Sequence, residues 1–312
     1  MRVFVAGATG AIGRPLVPML VEKGHDVTGM TRSEERAERI RRVGARTVVL
    51  DVFDADGVKA ALAEARPEVV VHELTALPDR LDFRRQDLYQ PTNRLRTEGT
   101  RILIEAALEA GASRMVAQSI AFAYAPVGGR VKDENAPLMP DAPGPFGSGV
   151  NALRELEGAV TATPGLEGVV LRYGFFYGPG TYYARDGSTA AEVKRRRLPI
   201  VGKGTGVFSF IHVDDAAAAT VAAVERGAPG IYNITDDEPA ELRDWLPIYA
   251  DAIEAPKPWR VPAVLARLLA GKAAASFMLE LRGASNEKAK RELGWEPRWR
   301  TWRQGFRDGL LS

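Results

Sequence analysis

The segment Gly7-Ala8-Thr9-Gly10-Ala11-Ile12-Gly13 sets glycine at every third position, directly after the apolar run Val3–Ala6 and before Ile12, Leu16, Met19 and Leu20 at helical spacing. A strand, a tight turn and a helix are predicted there. The first glycine permits the turn, the second lets backbone approach a bulky anion, and the third allows the helix to pack close to the strand. The helix N-terminus then faces that anion with unpaired N–H groups and the positive end of its dipole. In this context Gly7, Thr9, Gly10, Ala11, Ile12 and Gly13 read as a seat for a dinucleotide pyrophosphate.

The end of the second predicted strand decides which dinucleotide. Gly29-Met30-Thr31-Arg32-Ser33 has no carboxylate to hold a ribose 2′-hydroxyl, while Arg32 is a charge-assisted partner for a 2′-phosphate. NADP(H) is the expected cofactor, with NAD(H) as the second choice.

Other chemistries are excluded by residue counts. The chain has no cysteine, so disulfides, thiolate nucleophiles and cysteine-ligated zinc are ruled out. His25, His72 and His212 are too few and too scattered for a metal site. With a net charge of +2 and arginines spread along the chain, nothing marks a nucleic-acid surface. Arg195, Arg196 and Arg197 form the one tight cluster, read either as a solvated helix end or as an anion contact. No apolar stretch reaches membrane length and no signal architecture opens the chain, so a cytoplasmic protein acting on a small molecule, with no nucleic-acid or membrane partner, is expected. A homodimer is left open.

The elements that must position these groups alternate regularly. Apolar runs at Asp26–Met30, Thr47–Leu50, Val69–His72, Met115–Gln118 and Val169–Leu171 are separated by amphipathic stretches such as Leu95–Ala110. The fold class is therefore α/β, a Rossmann-type doubly wound parallel sheet with a smaller C-terminal substrate lobe. A dinucleotide domain over 1–175 is followed by a lobe over 176–312, some of whose segments return to the sheet. Helices are predicted at Val213–Arg226 and Leu242–Ile253, and the proline-bearing loop from Ala125 to Gly149 has the length of a functional loop.

Further segments resemble the extended short-chain dehydrogenase/reductase family. They are Asp51-Val52, Val71-His72-Glu73-Leu74-Thr75-Ala76, Glu98-Gly99-Thr100-Arg101-Ile102-Leu103, Ser119, Leu171 to Gly180, Phe210-Ile211-His212-Val213-Asp214-Asp215 and Glu292-Leu293-Gly294-Trp295-Glu296-Pro297. The resemblance implies that Asp51 holds the adenine amine and Val52 flanks the ring. It puts Leu74 and Thr75 near the cofactor ribose, Ser119 at the catalytic hydroxyl, and Gly174, Phe175 and Phe176 beside the nicotinamide. Asp215 reads as an anchor for a helix start.

One part of the family pattern is broken. Its catalytic tyrosine and lysine stand four apart on the helix after the long loop, where the lysine lowers the tyrosine pKa for proton exchange with the substrate oxygen. Here that helix reads Pro145 to Glu157 without either residue, and 125–163 contains no tyrosine and only Lys132. Arg96 stands where extended members often carry asparagine, with Asn93 nearly one turn earlier. The chain thus resembles the atypical branch, and Tyr124 beside Ser119 is the first candidate for a substitute proton donor. Tyr173, Tyr177, Tyr182 and Tyr183 read first as packing and cofactor shelving, and Glu73 is either a desolvated acid or an exposed strand end. The leading expectation is an NADP(H)-dependent oxidoreductase on a carbonyl or alcohol substrate using a non-standard relay. A non-hydride enzyme and a redox-silent nucleotide sensor are the alternatives.

Overall fold

The computed structural model describes residues 1–80, 85–140 and 144–311, apart from the side chains at 86, 144, 145, 269, 270 and 272–274. Seven strands form one sheet: β1 (Arg2–Ala6), β2 (Asp26–Thr31), β3 (Arg46–Val49), β4 (Val69–His72), β5 (Arg114–Ile120), β6 (Glu167–Tyr173) and β7 (Gly230–Ile234). All neighbours are parallel in the order β7-β6-β5-β4-β1-β2-β3. The order reverses between β1 and β4, so their carboxyl ends open the crevice where ligands of such sheets bind.

The helices that bear on the site are α1 (Gly13–Glu22), α2 (Glu34–Arg42), α3 (Ala55–Ala65), α4 (Gln90–Arg94), α5 (Thr100–Glu109), α6 (Gly144–Ala162), α7 (Ser188–Lys194), α8 (Val213–Glu225) and α9 (Leu242–Ala252). One face of the sheet is covered through Leu16 and Leu20 of α1, Ile40 of α2 and Ala219 of α8. The other is covered through Leu62, Leu103, Leu156 and Val160. Because both faces are covered, β4 is buried throughout and reads as a continuous Val-Val-Val run rather than an alternating one.

The stretch expected as one helix over Leu95–Ala110 is a π turn at Leu95–Gly99 running into α5. The hydroxyls of Thr97 and Thr100 donate back to the carbonyls of Asn93 and Arg96, a local competition that loosens regular α pairing. Part of the long loop is also ordered: Val131–Lys132 pairs with Gly283–Ala284, and Tyr124 bridges Leu138 before α6 begins. Apart from the layers on the sheet, Phe175, Tyr177, Tyr183, Phe208, Phe210, Trp245, Tyr249, Trp302 and Phe306 form one aromatic core.

Two expectations change at the lobe. Asp215 does not cap α8, because the His212 ring accepts the Asp214 N–H there; instead Asp215 accepts the backbone N–H groups of Arg298 and Trp299 and ties down the C-terminal segment. The arginine cluster is the solvated reading: Arg195 and Arg197 stand 3.9 and 4.0 Å from Glu192 at the exposed end of α7.

Candidate dinucleotide and substrate site

The glycine turn is built as its spacing implies. Gly7 has φ +95°, and a Cβ there would lie 2.6 Å from the Glu73 carbonyl oxygen; a Cβ on Gly13 would lie 2.3 Å from the Gly7 oxygen. Gly10 differs, since its Cβ would meet only the Gly7 oxygen at 3.3 Å and otherwise point into open space. The first two constraints shape the turn, and the third leaves a hollow that any side chain at Gly10 would fill. No side chain caps α1, which leaves amides at its start available to an anion, apart from that of Arg14, which donates to the Gly10 carbonyl at 3.1 Å. The cradle therefore fits a dinucleotide pyrophosphate.

Beside it, the Thr9 and Thr31 hydroxyls lie 3.3 Å apart at the ends of β1 and β2. A groove of about 400 Å³ between α1 and α2 is lined by Thr9, Arg14, Arg36 and Arg39 among others. Arg14 reaches the Gly180 carbonyl at 3.5 Å, and none of these three arginines is in an ion pair among the described residues. Arg32 is exposed and 4.0 Å from Asp51, too loose a pair to consume its charge. The arginines of α2 were missed in the sequence because only the turn at the end of β2 was read for cofactor choice.

Asp51 accepts the Phe53 N–H at 3.0 Å, and Val52 is buried behind it. At the end of β4 the Leu74 N–H meets the His72 ring at 3.3 Å, with Leu74 half-buried and Thr75 exposed. Gly174 passes so close to Ser209 that a Cβ would sit 2.5 Å from its carbonyl oxygen. That contact holds Phe175 and Phe176 at the end of β6, where Phe175 stacks on Phe122 at 4.1 Å. Sheet order thus brings the candidate cofactor residues along one edge.

The two catalytic candidates lie elsewhere, inside the protein. The Ser119 hydroxyl donates to Glu157 at 2.6 Å, and Arg172 forks onto the same carboxylate at 2.8 and 2.6 Å. Arg172 also donates to the Tyr124 oxygen at 3.0 Å, and the Tyr124 hydroxyl donates to Asn233 at 2.6 Å. Ser119 and Tyr124 are each 1% exposed, so neither hydroxyl opens on the crevice. Burial pushes the Tyr124 phenol further up, with Arg172 opposing. Glu157, Arg172 and Asn233 went unnoticed in the sequence; the signal was Arg172, a charge directly after the apolar run Val169–Leu171.

The other tyrosines pack. Tyr182 donates to the Pro78 carbonyl, Tyr177 and Tyr183 join the aromatic core, and Tyr173 meets Thr220 at 2.7 Å and donates to Glu73 at 3.0 Å. Glu73 is the desolvated acid rather than an exposed strand end. It is 5% exposed, one oxygen has no partner, and burial pushes its carboxyl up to about 8 against the hydrogen bond from Tyr173. An unfolded carboxyl titrates near ~4.3. Between those values the folded chain keeps a proton that the unfolded chain has released, so this group's contribution falls as pH rises. Glu73→Gln is expected to melt like the parent near pH 5 and above it at pH 9; parallel pH profiles for the two proteins would contradict this account.

Fold and cradle together define a dinucleotide-binding α/β protein of the extended short-chain dehydrogenase/reductase type. The chain belongs to the NAD-dependent epimerase/dehydratase family, whose pattern matches residues 3–235. A Streptomyces protein named 3-diazoavenalumate denitrifying reductase is 52% identical over 307 residues, covering 98% of this chain and 99% of the relative. Among solved structures, Thermotoga maritima UDP-glucose 4-epimerase with UDP-glucose superposes with TM-score 0.78 at 22% identity, covering 99% of this chain and 97% of the other. Human epimerase family protein SDR39U1 with NADPH gives TM-score 0.74 at 19% identity, covering 99% of both chains. Among the described residues no helix is long and apolar enough to cross a membrane.

Proposed function

We propose that this chain is an NADP(H)-dependent reductase that replaces the nitrogen of an aromatic diazo compound with hydrogen. The observation that carries the reading is that α6 contains neither tyrosine nor lysine while the Ser119 and Tyr124 hydroxyls are spent on buried partners. Reducing a carbonyl creates an alkoxide that must receive a proton, help typically worth ~10²–10⁴-fold. An arenediazonium asks for none. The bound nicotinamide would supply two electrons and one hydrogen to the ring carbon; the C–H bond forms there as the C–N bond breaks, and N₂ leaves with that bonding pair. A family member without a proton relay suits this reaction, and the denitrifying reductase 52% identical to this chain supports it.

In this reading the chain's own work is to bind, orient and exclude water. Gly7, Thr9, Gly10, Ala11, Ile12 and Gly13 hold the pyrophosphate, Asp51 and Val52 the adenine, Leu74 and Thr75 the ribose. Gly174, Phe175 and Phe176 back the nicotinamide, and the Phe122–Phe175 stack keeps that end apolar. Ser119 and Tyr124 position β5 against α6 through the buried network instead of moving protons. The test is stoichiometric: an arenediazonium carboxylate given with NADPH should release one N₂ per NADPH oxidised. NADPH oxidation by ketones alone would instead favour the carbonyl reading.

NADPH is expected to bind more tightly than NADH, because the turn Gly29–Ser33 carries Arg32 and no carboxylate, and Arg36 and Arg39 outnumber Glu35 in the adjoining groove. Removing Arg32 and Arg36 together should erase about 1–3 kcal/mol of NADPH affinity and leave NADH unchanged. Equal calorimetric affinities of the unmodified protein for the two nucleotides would refute the preference.

A further inference from the structure

Arg96 lies on the π turn above the carboxyl end of β4, enclosed by α4 and the start of α6. A Cβ on Gly149 would sit 3.6 Å from its Nη1, and among the described residues its guanidinium hydrogen-bonds only the Asn93 side-chain oxygen, at a long 3.4 Å. Asn93 in turn donates to the Ser148 hydroxyl at 3.3 Å. Among the described residues Arg96 has no carboxylate partner, although burial lowers its pKa to about 10. The nearby His72 is no counter-charge, since an imidazole is neutral or cationic; burial, opposed by a backbone hydrogen bond to Leu95 and joined by Arg96, lowers its pKa to about 4. Arg96 is half-buried, so its guanidinium is partly desolvated without a counter-charge yet still open to a guest; that desolvation is costly, and the cost is recovered when an anion joins it. The cofactor phosphates do not supply that anion: the glycine turn and α1 cover the opposite face of the sheet from α5 and α6.

The neighbourhood says what kind of anion fits. Phe146 stands one turn before Gly149 on the same side of α6, and its ring meets Phe277 edge-on at 5.6 Å. Phe277 stands edge-on to Phe175 at 6.2 Å, and Phe175 stacks on Phe122. Phe122, Phe146 and Phe277 are each only partly buried, so this aromatic wall is not sealed inside the core. Gly149 leaves the space in front of the guanidinium free of a side chain, and the π turn is a backbone irregularity of the kind found at functional sites.

We propose that Arg96, framed by Asn93, Ser148 and Gly149, is the anion anchor of the substrate site, and that the substrate is an aromatic or conjugated carboxylate whose ring lies on the Phe122, Phe146 and Phe277 wall. This deepens the reductase reading by naming the substrate class, and rests on that reading for the statement that a small molecule enters this cleft.

The test uses unreactive probes. Cinnamate and its neutral amide are titrated calorimetrically into the NADPH-loaded protein and into Arg96→Met and Arg96→Lys, with NADPH affinity and melting temperature confirming that each variant is folded. The unmodified protein is expected to prefer cinnamate by about 10–100-fold, the range of a charged hydrogen-bonded pair. Arg96→Met should lose that preference without weakening the amide, and Arg96→Lys should restore part of it. No preference in the unmodified protein, including failure to bind either probe, overturns the proposal, as does a preference that survives Arg96→Met. If the preference behaves as expected but no diazonium substrate is turned over, the anchor stands and the reductase reading falls.

Discussion

Glu157→Ala is expected to cost about 3–5 kcal/mol of folding stability. Its carboxylate is 7% exposed at the side chain, and it is gripped by Arg172, 5% exposed, and by Ser119. Removing it leaves a guanidinium between α6 and β6 with, among the described residues, only the Tyr124 oxygen and the Glu134 carbonyl as acceptors. Most of the loss is this uncompensated charge rather than the worth of the pair, so Glu157→Leu combined with Arg172→Met should recover much of it. Urea unfolding checks both; a loss below about 1 kcal/mol for Glu157→Ala would show that Arg172 reaches water or another partner.

Gly10→Val should lower NADPH affinity more than about 100-fold and leave the chain folded, because the new side chain enters the hollow the pyrophosphate needs while clashing with little else. Gly13→Val makes the contrast. Its Cβ would press on the Gly7 oxygen and the Ala8 backbone, so that variant is expected to lose folded protein as well as binding. A fluorescence titration with NADPH, beside a melting curve, separates the two. Undiminished affinity in folded Gly10→Val would rule out this cradle.

The cradle was legible in the sequence because it is local: one glycine spacing, one strand and one helix determine it. Strand–helix alternation gave the parallel sheet for the same reason, although β5 and β6 run further than their apolar cores, to Ile120 and Tyr173. Ser119 was placed by the family resemblance and Tyr124 by its nearness to Ser119 along the chain, and neither says which side of the sheet a residue faces. Met115 and Ala117 pack under α6, so alternation along β5 sends Ser119 to the same side, where Glu157 waits. Arg96 carried a signal, an arginine where resembling proteins carry asparagine. Its lack of a carboxylate could be seen only once α6 and the π turn were in place.

The central claim is that reduction proceeds here without a proton from the protein, and isotope tracing tests it most directly. An arenediazonium carboxylate is turned over with NADPH deuterated at nicotinamide C4, and in parallel with unlabelled NADPH in heavy water. The account predicts deuterium at the ring carbon that bore nitrogen in the first experiment, for whichever face of C4 is used, none at that carbon in the second, and one N₂ per NADPH in both. Deuterium at that carbon from solvent, or nitrogen loss without NADPH oxidation, would contradict it.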